Sequence, residues 1–203
     1  QNSNTTIGKK SKLVVALTAL GIDPRAIPRQ TSDEAINLIE QIYNEGPGVG
    51  FGGQYSIPYV LMVYNLGFTP DGFDRNHQIS QTIDKMAEIE GGTLENEVFY
   101  NKWAADTIGL YLSALAPHYG SNATAQGIVS RGIDWINANQ RNGSFGNANS
   151  DAMVVLGLSA IQGNGGESES RTVLLDQMGS GLLSYKTEAN DGFGYQGSFN
   201  LLS

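Results

Sequence analysis

A turn containing glycine and phenylalanine occurs three times in this chain, each time a few residues before a segment that is apolar over most of a helix. The three stretches read GVGFGGQYSIPYVLMVYNLG, NGSFGNANSDAMVVLGLSAI and, in shortened form, DGFGYQGSFNLLS. Aromatic residues mark the same interval, because Phe51, Trp103, Phe145 and Phe193 recur roughly every 40 to 50 residues, the length of a helix-pair repeat. The recurrence predicts a chain built from repeated helical hairpins.

Apolar periodicity predicts eight helices of two alternating kinds. Four are apolar over most of their surface and are predicted at residues 12–21, 56–66, 101–116 and 149–161. The other four are amphipathic and are predicted from Thr31 or Ser32 to about residue 43, at 78–90, at 122–139, and from Ser168 or Ser170 to about residue 183. In the second helix, Asp33 and Glu34 are predicted to occupy the favourable first turn.

This alternation has a simple physical explanation. Helices that are apolar on most sides are buried between neighbours as an inner layer, whereas amphipathic helices form an outer layer with one solvated face. Glycine in the preceding turn permits positive φ, and the aromatic ring fills the gap between hairpins. We therefore expect an all-α domain of about four helix hairpins over residues 12–203. It is preceded by a flexible segment, residues 1–11, that ends where Ser11 caps the first helix.

Composition argues against several classes of function. The net charge is −8, with only 12 Lys and Arg residues among 203, so neither nucleic acid nor an anionic membrane is an expected partner. The longest apolar stretch, near residues 13–20, is too short to span a bilayer. Cysteine is absent, which excludes a disulfide framework, a thiolate zinc site and a catalytic cysteine. This acidic, cysteine-free composition favours an extracellular or cell-surface bacterial protein whose signal peptide has been removed.

Parts of the chain resemble a known superfamily. QRNGSFGNANSDAMVVLGLSAI resembles the repeat of the prenyltransferase and squalene-cyclase (terpenoid-cyclase) superfamily, whose Q-x-x-(D/N)-G-(G/S)-(F/W)-G turn precedes an inner helix. KLVVALTALGIDPRAI and WAADTIGLYLSALAPHY are similar to the toroid domains of bacterial surface proteins related to the cobalamin carriers intrinsic factor and transcobalamin. The resemblance implies an α/α toroid and suggests cobalamin, or another corrinoid, as a ligand held against a second domain.

The number of hairpins departs from that pattern. Toroids of this superfamily commonly have about six helix pairs, and four are predicted here. The resemblance therefore implies either an open arc or a toroid truncated at its C-terminus. An open arc would expose an apolar flank, which favours a homodimer.

The catalytic groups of the superfamily do not occur in this sequence. Its terpene cyclases use an aspartate cluster of the D-x-D-D type, which is absent here. Its protein prenyltransferases hold zinc with Asp, Cys and His, whereas this chain has no Cys and only His77 and His118. We therefore expect no metal and no obligate cofactor.

Two carboxylates occupy corresponding positions in the repeats. Asp106 and Asp151 are each predicted in the first turn of an apolar helix, in WAAD and NSDA. They would either face the mouth of the toroid as an acid–base pair or ligand contacts, or stabilise the helix ends. A carboxylate near a helix N-terminus contributes about 0.3–1 kcal/mol through the helix dipole, and we favour this second role.

Aromatic and amide side chains near the starts of the apolar helices are further binding candidates. Such groups, including those of Phe145 and Asn147, suit a flat or sugar-like ligand. Trp103 and Phe145 are better explained as wedges between hairpins, whereas for Tyr55 and Tyr195 the two roles weigh about equally. The candidate ligand-binding set is Gln54, Tyr55, Trp103, Asp106, Asn149, Asp151 and Tyr195.

Together these features leave enzymatic activity open and favour its absence. The preferred hypothesis is a non-catalytic binding or adhesion module of an extracellular bacterial surface protein. Its partner would be a small molecule of the corrinoid type or another domain of the same protein. One alternative is a lyase or cyclase that uses Asp106 and Asp151 on a carbohydrate or isoprenoid. The other is a structural spacer.

Overall fold

The computed structural model describes residues 6–29, 34–46, 53–92, 99–101, 104–166, 168–187 and 192–194. Within these ranges the chain is helical, with isolated β-bridges and no strand. The α-helices are α1 (Ile7–Ala19), α2 (Leu38–Glu45), α3 (Ile57–Asn65), α4 (Arg75–Glu90), α5 (Ala104–Leu115), α6 (Ala123–Asn139), α7 (Ala148–Gly163) and α8 (Glu169–Leu183). A short 3-10 helix, Ala116–His118, follows α5. The predicted all-α fold is confirmed.

The chain divides into two compact units, Gln1–Glu97 and Val98–Ser203. The N-terminal unit contains α1 to α4, and the C-terminal unit contains α5 to α8. That a single toroid or arc spans residues 12–203 stays a prediction.

In the N-terminal unit the two helices predicted to be apolar pack on each other. α1 lies against α3, while α2 packs on α1 and α4 packs on α3. Aromatic rings lie at the centre of this core. The Tyr43 ring forms T-shaped pairs with Tyr64, at a centroid distance of 4.8 Å, and with Phe73, at a centroid distance of 5.3 Å. The Tyr43 hydroxyl donates to the Phe68 carbonyl at 2.9 Å. The buried ring therefore keeps its polar end paired.

α1 begins at Ile7, so the prediction that Ser11 caps this helix is wrong. Ser11 lies inside the helix and is fully buried. The cause is tertiary packing, because Ile7 and Val14 are both buried two turns apart on one face. Gly8 also brings the first turn close to α3, where a Cβ on Gly8 would lie 2.3 Å from the Ser56 hydroxyl oxygen. Burial against α3 thus stabilises a helical turn whose composition is mainly polar.

α2 begins at Leu38 rather than at Thr31 or Ser32, so the predicted start of this helix is also wrong. Ile36 exchanges two backbone hydrogen bonds with Ile27, at 2.8 and 3.0 Å. This pairing uses backbone groups that a longer helix would need for itself. It therefore delays the start of the helix.

Asn37 caps α2 in place of the predicted residues. Its side chain accepts a hydrogen bond from the Glu40 backbone N–H at 3.0 Å, as N-cap residues do. Glu34 lies outside the helix, and Asp33 lies outside the described residues. The other six helices begin and end within about three residues of the predicted positions, the usual uncertainty of helix ends.

In the C-terminal unit, α5 and α7 pack with their backbones in contact, while α6 packs on α5 and α8 on α7. A Cβ on Gly109 would lie 2.2 Å from the Met153 carbonyl oxygen. A Cβ on Gly157 would lie 2.5 Å from the Gly109 carbonyl oxygen. No larger residue fits at either position without moving a backbone, so these two glycines set the distance between the helices.

The helices predicted to be apolar differ in how completely they are buried. α5 buries all but two of its residues. In contrast, Leu13 on α1 is exposed, Leu20 at the C-cap of α1 is 75 % exposed, and Leu156 on α7 is 56 % exposed. Each of these two helices therefore leaves an apolar side without cover among the described residues.

Gly157→Ala is expected to destabilise the protein. The added methyl group would lie 2.5 Å from the Gly109 carbonyl oxygen and 2.8 Å from the Leu112 Cβ. Overpacking of this kind lowers the free energy of unfolding by about 1–3 kcal/mol. Urea unfolding followed by far-UV circular dichroism measures the change.

Gly179→Ala on α8 is the matched control, because a Cβ there meets no described atom within 4 Å. Removing a helical glycine without a clash is expected to raise the free energy of unfolding by about 0.5–1 kcal/mol. If Gly157→Ala were as stable as the wild type or more stable, the backbone contact between α5 and α7 would be incorrect.

Candidate functional site

The chain between α6 and α7 forms a tight hairpin that carries the candidate site. Arg141 and Ser144 exchange backbone hydrogen bonds at 2.9 and 3.1 Å. Between them, Asn142 and Gly143 have φ values of 53° and 78°. Two successive left-handed residues define a type I′ turn, for which Asn-Gly is the preferred pair. The Gln140 carboxamide oxygen accepts from the Gly143 N–H at 2.7 Å and closes the turn.

The hairpin lies directly on α8. A Cβ on Gly143 would lie 2.1 Å from the Gln177 carbonyl oxygen, and one on Gly181 would lie 1.9 Å from the Gly143 carbonyl oxygen. The hydroxyl oxygens of Ser144 and Tyr185 form a hydrogen bond at 2.9 Å. Backbone packing and this bond hold the hairpin in one position.

A buried carboxylate fastens the other end of the hairpin to α7. Asp151 is fully buried, and its Oδ1 accepts a hydrogen bond from the Phe145 N–H at 2.7 Å. Burial raises the pKa of Asp151 above its ordinary value, an effect that the Phe145 amide and the Ser144 hydroxyl partly oppose. The contact sets the position of the Phe145 backbone.

Two aromatic rings run parallel along the wall of a cleft beside the hairpin. Trp135 on α6 and Phe145 in the hairpin have centroids 5.6 Å apart and ring planes 8° from parallel, and both are half-buried. The Tyr100 ring follows at 6.4 Å from Trp135. We call this space, of about 410 Å³, the aromatic cleft. Among the described residues, its lining is Trp135, Asn139, Arg141, Ser144, Phe145 and Gly146.

A second depression, of about 550 Å³, lies between the hairpin and α8. We call it the amide groove, because its polar lining is Gln140, Asn142, Asp176, Gln177 and Ser180. All of these except Gln140 are exposed. The hairpin therefore contributes to both the aromatic cleft and the amide groove.

Three of the predicted site residues lie in the first turns of α5 and α7, as expected from the sequence. The Asn149 side chain donates to Asp106 Oδ2 at 2.8 Å, so these two residues meet. Asp151 instead contacts the hairpin backbone at Phe145 and is closed to solvent. These contacts favour the structural role at the helix ends over an acid–base pair.

The other predicted site residues are placed as follows. Tyr55 is exposed and Gln54 is half-buried, just before α3 in the N-terminal unit. The Gln54 Oε1 is buried without a hydrogen-bond partner among the described residues. Trp103 and Tyr195 lie outside the described residues.

The sequence did not predict the cleft residues Trp135, Asn139 and Arg141 as site residues, and Trp135 contributes the largest ring. Its position fits the apolar face of an amphipathic helix, so periodicity assigns it to the core. The structure leaves it half-buried beside Phe145. A large aromatic residue in the last turns of an outer helix, a few residues before an Asn-Gly turn, is the signal that would have indicated this role.

Neither a metal centre nor a membrane span is found in the described part of the chain. There, no group of three or more His, Asp or Glu residues could hold a metal ion. None of the helices in these ranges is both long and apolar enough to cross a bilayer.

Comparison with known proteins leaves the chain without a family assignment, since no protein-family model, curated protein or solved structure matches it. The resemblance to the prenyltransferase and squalene-cyclase superfamily therefore stays a prediction.

Asp151→Asn is expected to change how stability depends on pH. Burial raises the pKa of the folded-state carboxyl above 3.8, so the folded protein binds its proton more tightly than the unfolded chain does. Protonation of Asp151 therefore contributes to the free energy of unfolding of the wild type at low pH. This contribution is expected to be lost as pH rises through the raised pKa. Asparagine keeps a carbonyl oxygen for the Phe145 N–H and does not ionise. The free energy of unfolding of the variant, relative to wild type, should increase with pH.

Urea unfolding of both proteins from about pH 4 to about pH 8 measures this difference. Asp134→Asn, which changes an exposed carboxylate on α6 of the same unit, is the matched control. A difference between Asp151→Asn and wild type that is constant with pH would show that Asp151 does not titrate in this way.

Proposed function

We propose that this protein is a non-catalytic binding module whose ligand stacks in the aromatic cleft. The observation that carries the proposal is the parallel pair of Trp135 and Phe145 in a cleft of about 410 Å³. Ligand sites are typically concave, of about 300–1,000 Å³, with aromatic walls and a few polar groups that orient the ligand. Asn139 and Arg141 supply such polar groups here.

The lining of the cleft supports binding rather than catalysis. Its described residues include no carboxylate and no histidine, which are the usual general acids and bases. Asp151 is closed to solvent and occupied by the Phe145 amide, while Asp106 is held by Asn149. The lyase or cyclase alternative therefore has no supporting observation at this site.

A structural spacer is the other alternative. A spacer does not require a cleft with half-exposed aromatic rings, since a protein is more stable when such rings are fully buried. The aromatic cleft therefore favours a binding module over a spacer.

The location of the protein and one candidate for its ligand are inferred from the sequence. An extracellular bacterial surface protein is what composition and the superfamily resemblance favour, and the same resemblance makes a corrinoid one candidate ligand. A homodimer has support in the apolar side chains that α1 and α7 leave exposed, such as Leu13 and Leu156.

The proposal predicts that a ligand will stabilise the protein only when position 135 carries an aromatic ring. Probes of three kinds are suitable: cyanocobalamin, free indole and short neutral oligosaccharides. At saturation, at least one should raise the unfolding temperature of the wild type, because binding to the folded state adds to its stability. Trp135→Ala should abolish the shift and Trp135→Phe should retain part of it.

Leu183→Ala serves as a control, because this exposed leucine at the end of α8 lies outside the described lining of the aromatic cleft. It should leave the shift unchanged. Far-UV circular dichroism shows whether each variant is folded. A shift that persists in folded Trp135→Ala, or the absence of any shift in the wild type, would count against the binding module.

A further inference from the structure

The aromatic cleft and the amide groove share the hairpin between α6 and α7. Arg141, Ser144 and Phe145 line the cleft, while Gln140 and Asn142 line the groove. The hairpin is held on α8 and on α7 by the contacts described above. A ligand that touches both spaces would therefore bind to a surface that is already ordered, which lowers the entropy lost on binding.

The chemistry of the two spaces is complementary. Aromatic rings such as Trp135 and Phe145 offer large apolar faces to a ligand, and the C–H faces of a sugar ring are apolar in the same way. In the amide groove, carboxamides such as Asn142 and Gln177 both donate and accept hydrogen bonds, and the Asp176 carboxylate accepts them. Sugar hydroxyls need both kinds of partner.

Charge further restricts the ligand. Among the described lining residues, Arg141 contributes one positive charge and Asp176 one negative charge. The 203-residue chain carries a net charge of −8, which repels polyanions. The structure therefore favours a neutral ligand over an acidic polysaccharide.

We propose that the aromatic cleft and the amide groove are two subsites of one surface that binds a neutral oligosaccharide. One sugar ring stacks in the aromatic cleft, and the next rings cross the hairpin to hydrogen-bond in the amide groove. This inference rests on the proposed function and adds the ligand class to it. A flat aromatic ligand would use the aromatic cleft alone.

The dependence of affinity on chain length tests the proposal. Cello-, malto- and chito-oligosaccharides, each from monosaccharide to tetrasaccharide, are titrated into the full chain by isothermal titration calorimetry. In at least one series the tetrasaccharide should bind at least about tenfold more tightly than the disaccharide. The gain is expected because the additional sugar rings reach the amide groove. Trp135→Ala should abolish binding at every length.

The groove is tested separately with Asp176→Ala, a change at an exposed position of α8. It should reduce tetrasaccharide affinity by about tenfold, to that of the disaccharide, and leave disaccharide affinity unchanged. Leu183→Ala, the matched control on the same helix, should bind every length as the wild type does. Phe145→Leu, which removes a ring and keeps apolar volume, tests the cleft if Trp135→Ala fails to fold.

The outcomes separate the inference from the proposed function. Equal affinity at all lengths, or equal loss at all lengths in Asp176→Ala, would overturn the two-subsite surface. If cyanocobalamin or indole binds through Trp135 and no saccharide does, the inference is wrong and the binding module stands. If no probe of any kind binds, both are wrong.

Discussion

Close contact between glycine backbones organises the C-terminal unit. Gly109 and Gly157 let α5 and α7 approach until no Cβ fits between them, so the distance between these helices is set by backbone atoms rather than by side chains that could repack. The first turns of the two helices are then near enough for Asn149 to reach Asp106. A second contact of the same kind, between Gly143 and Gly181, places the hairpin on α8.

The candidate site follows from that arrangement. The hairpin precedes α7, so its position depends on where α7 lies, and its far side is held by α8. Trp135 reaches Phe145 because α6 packs on α5 and ends where the hairpin begins. A ring pair held from three helices needs little reordering when a ligand arrives, which is the property that a binding site requires. Asp151 maintains this geometry from inside the protein, at a cost in desolvation that its hydrogen bond to Phe145 offsets in part.

Local patterns predicted much of the fold. Apolar periodicity and turn residues located α3 to α8 closely, since each of these helices has its breaker or cap nearby in the chain. The same reasoning failed at the starts of α1 and α2. A polar first turn at Ile7 is helical because α3 buries one side of it, and Ile36 is not helical because it pairs with Ile27. Apolar periodicity shows neither cause, because the first is a contact with a helix far along the chain and the second is a pairing of backbone groups.

The sequence by itself determined the helical class, the tight Asn142-Gly143 turn and the positions of Asp106 and Asp151 at helix starts, because these depend on neighbours within a few residues. Only the tertiary structure decided what these residues do. It buried Asp151 under the hairpin rather than at an open mouth, and it paired Trp135 with Phe145 to make a cleft. The direction of a side chain and its exposure depend on how helices pack, and in this unit packing depends on glycine contacts between residues far apart in the chain.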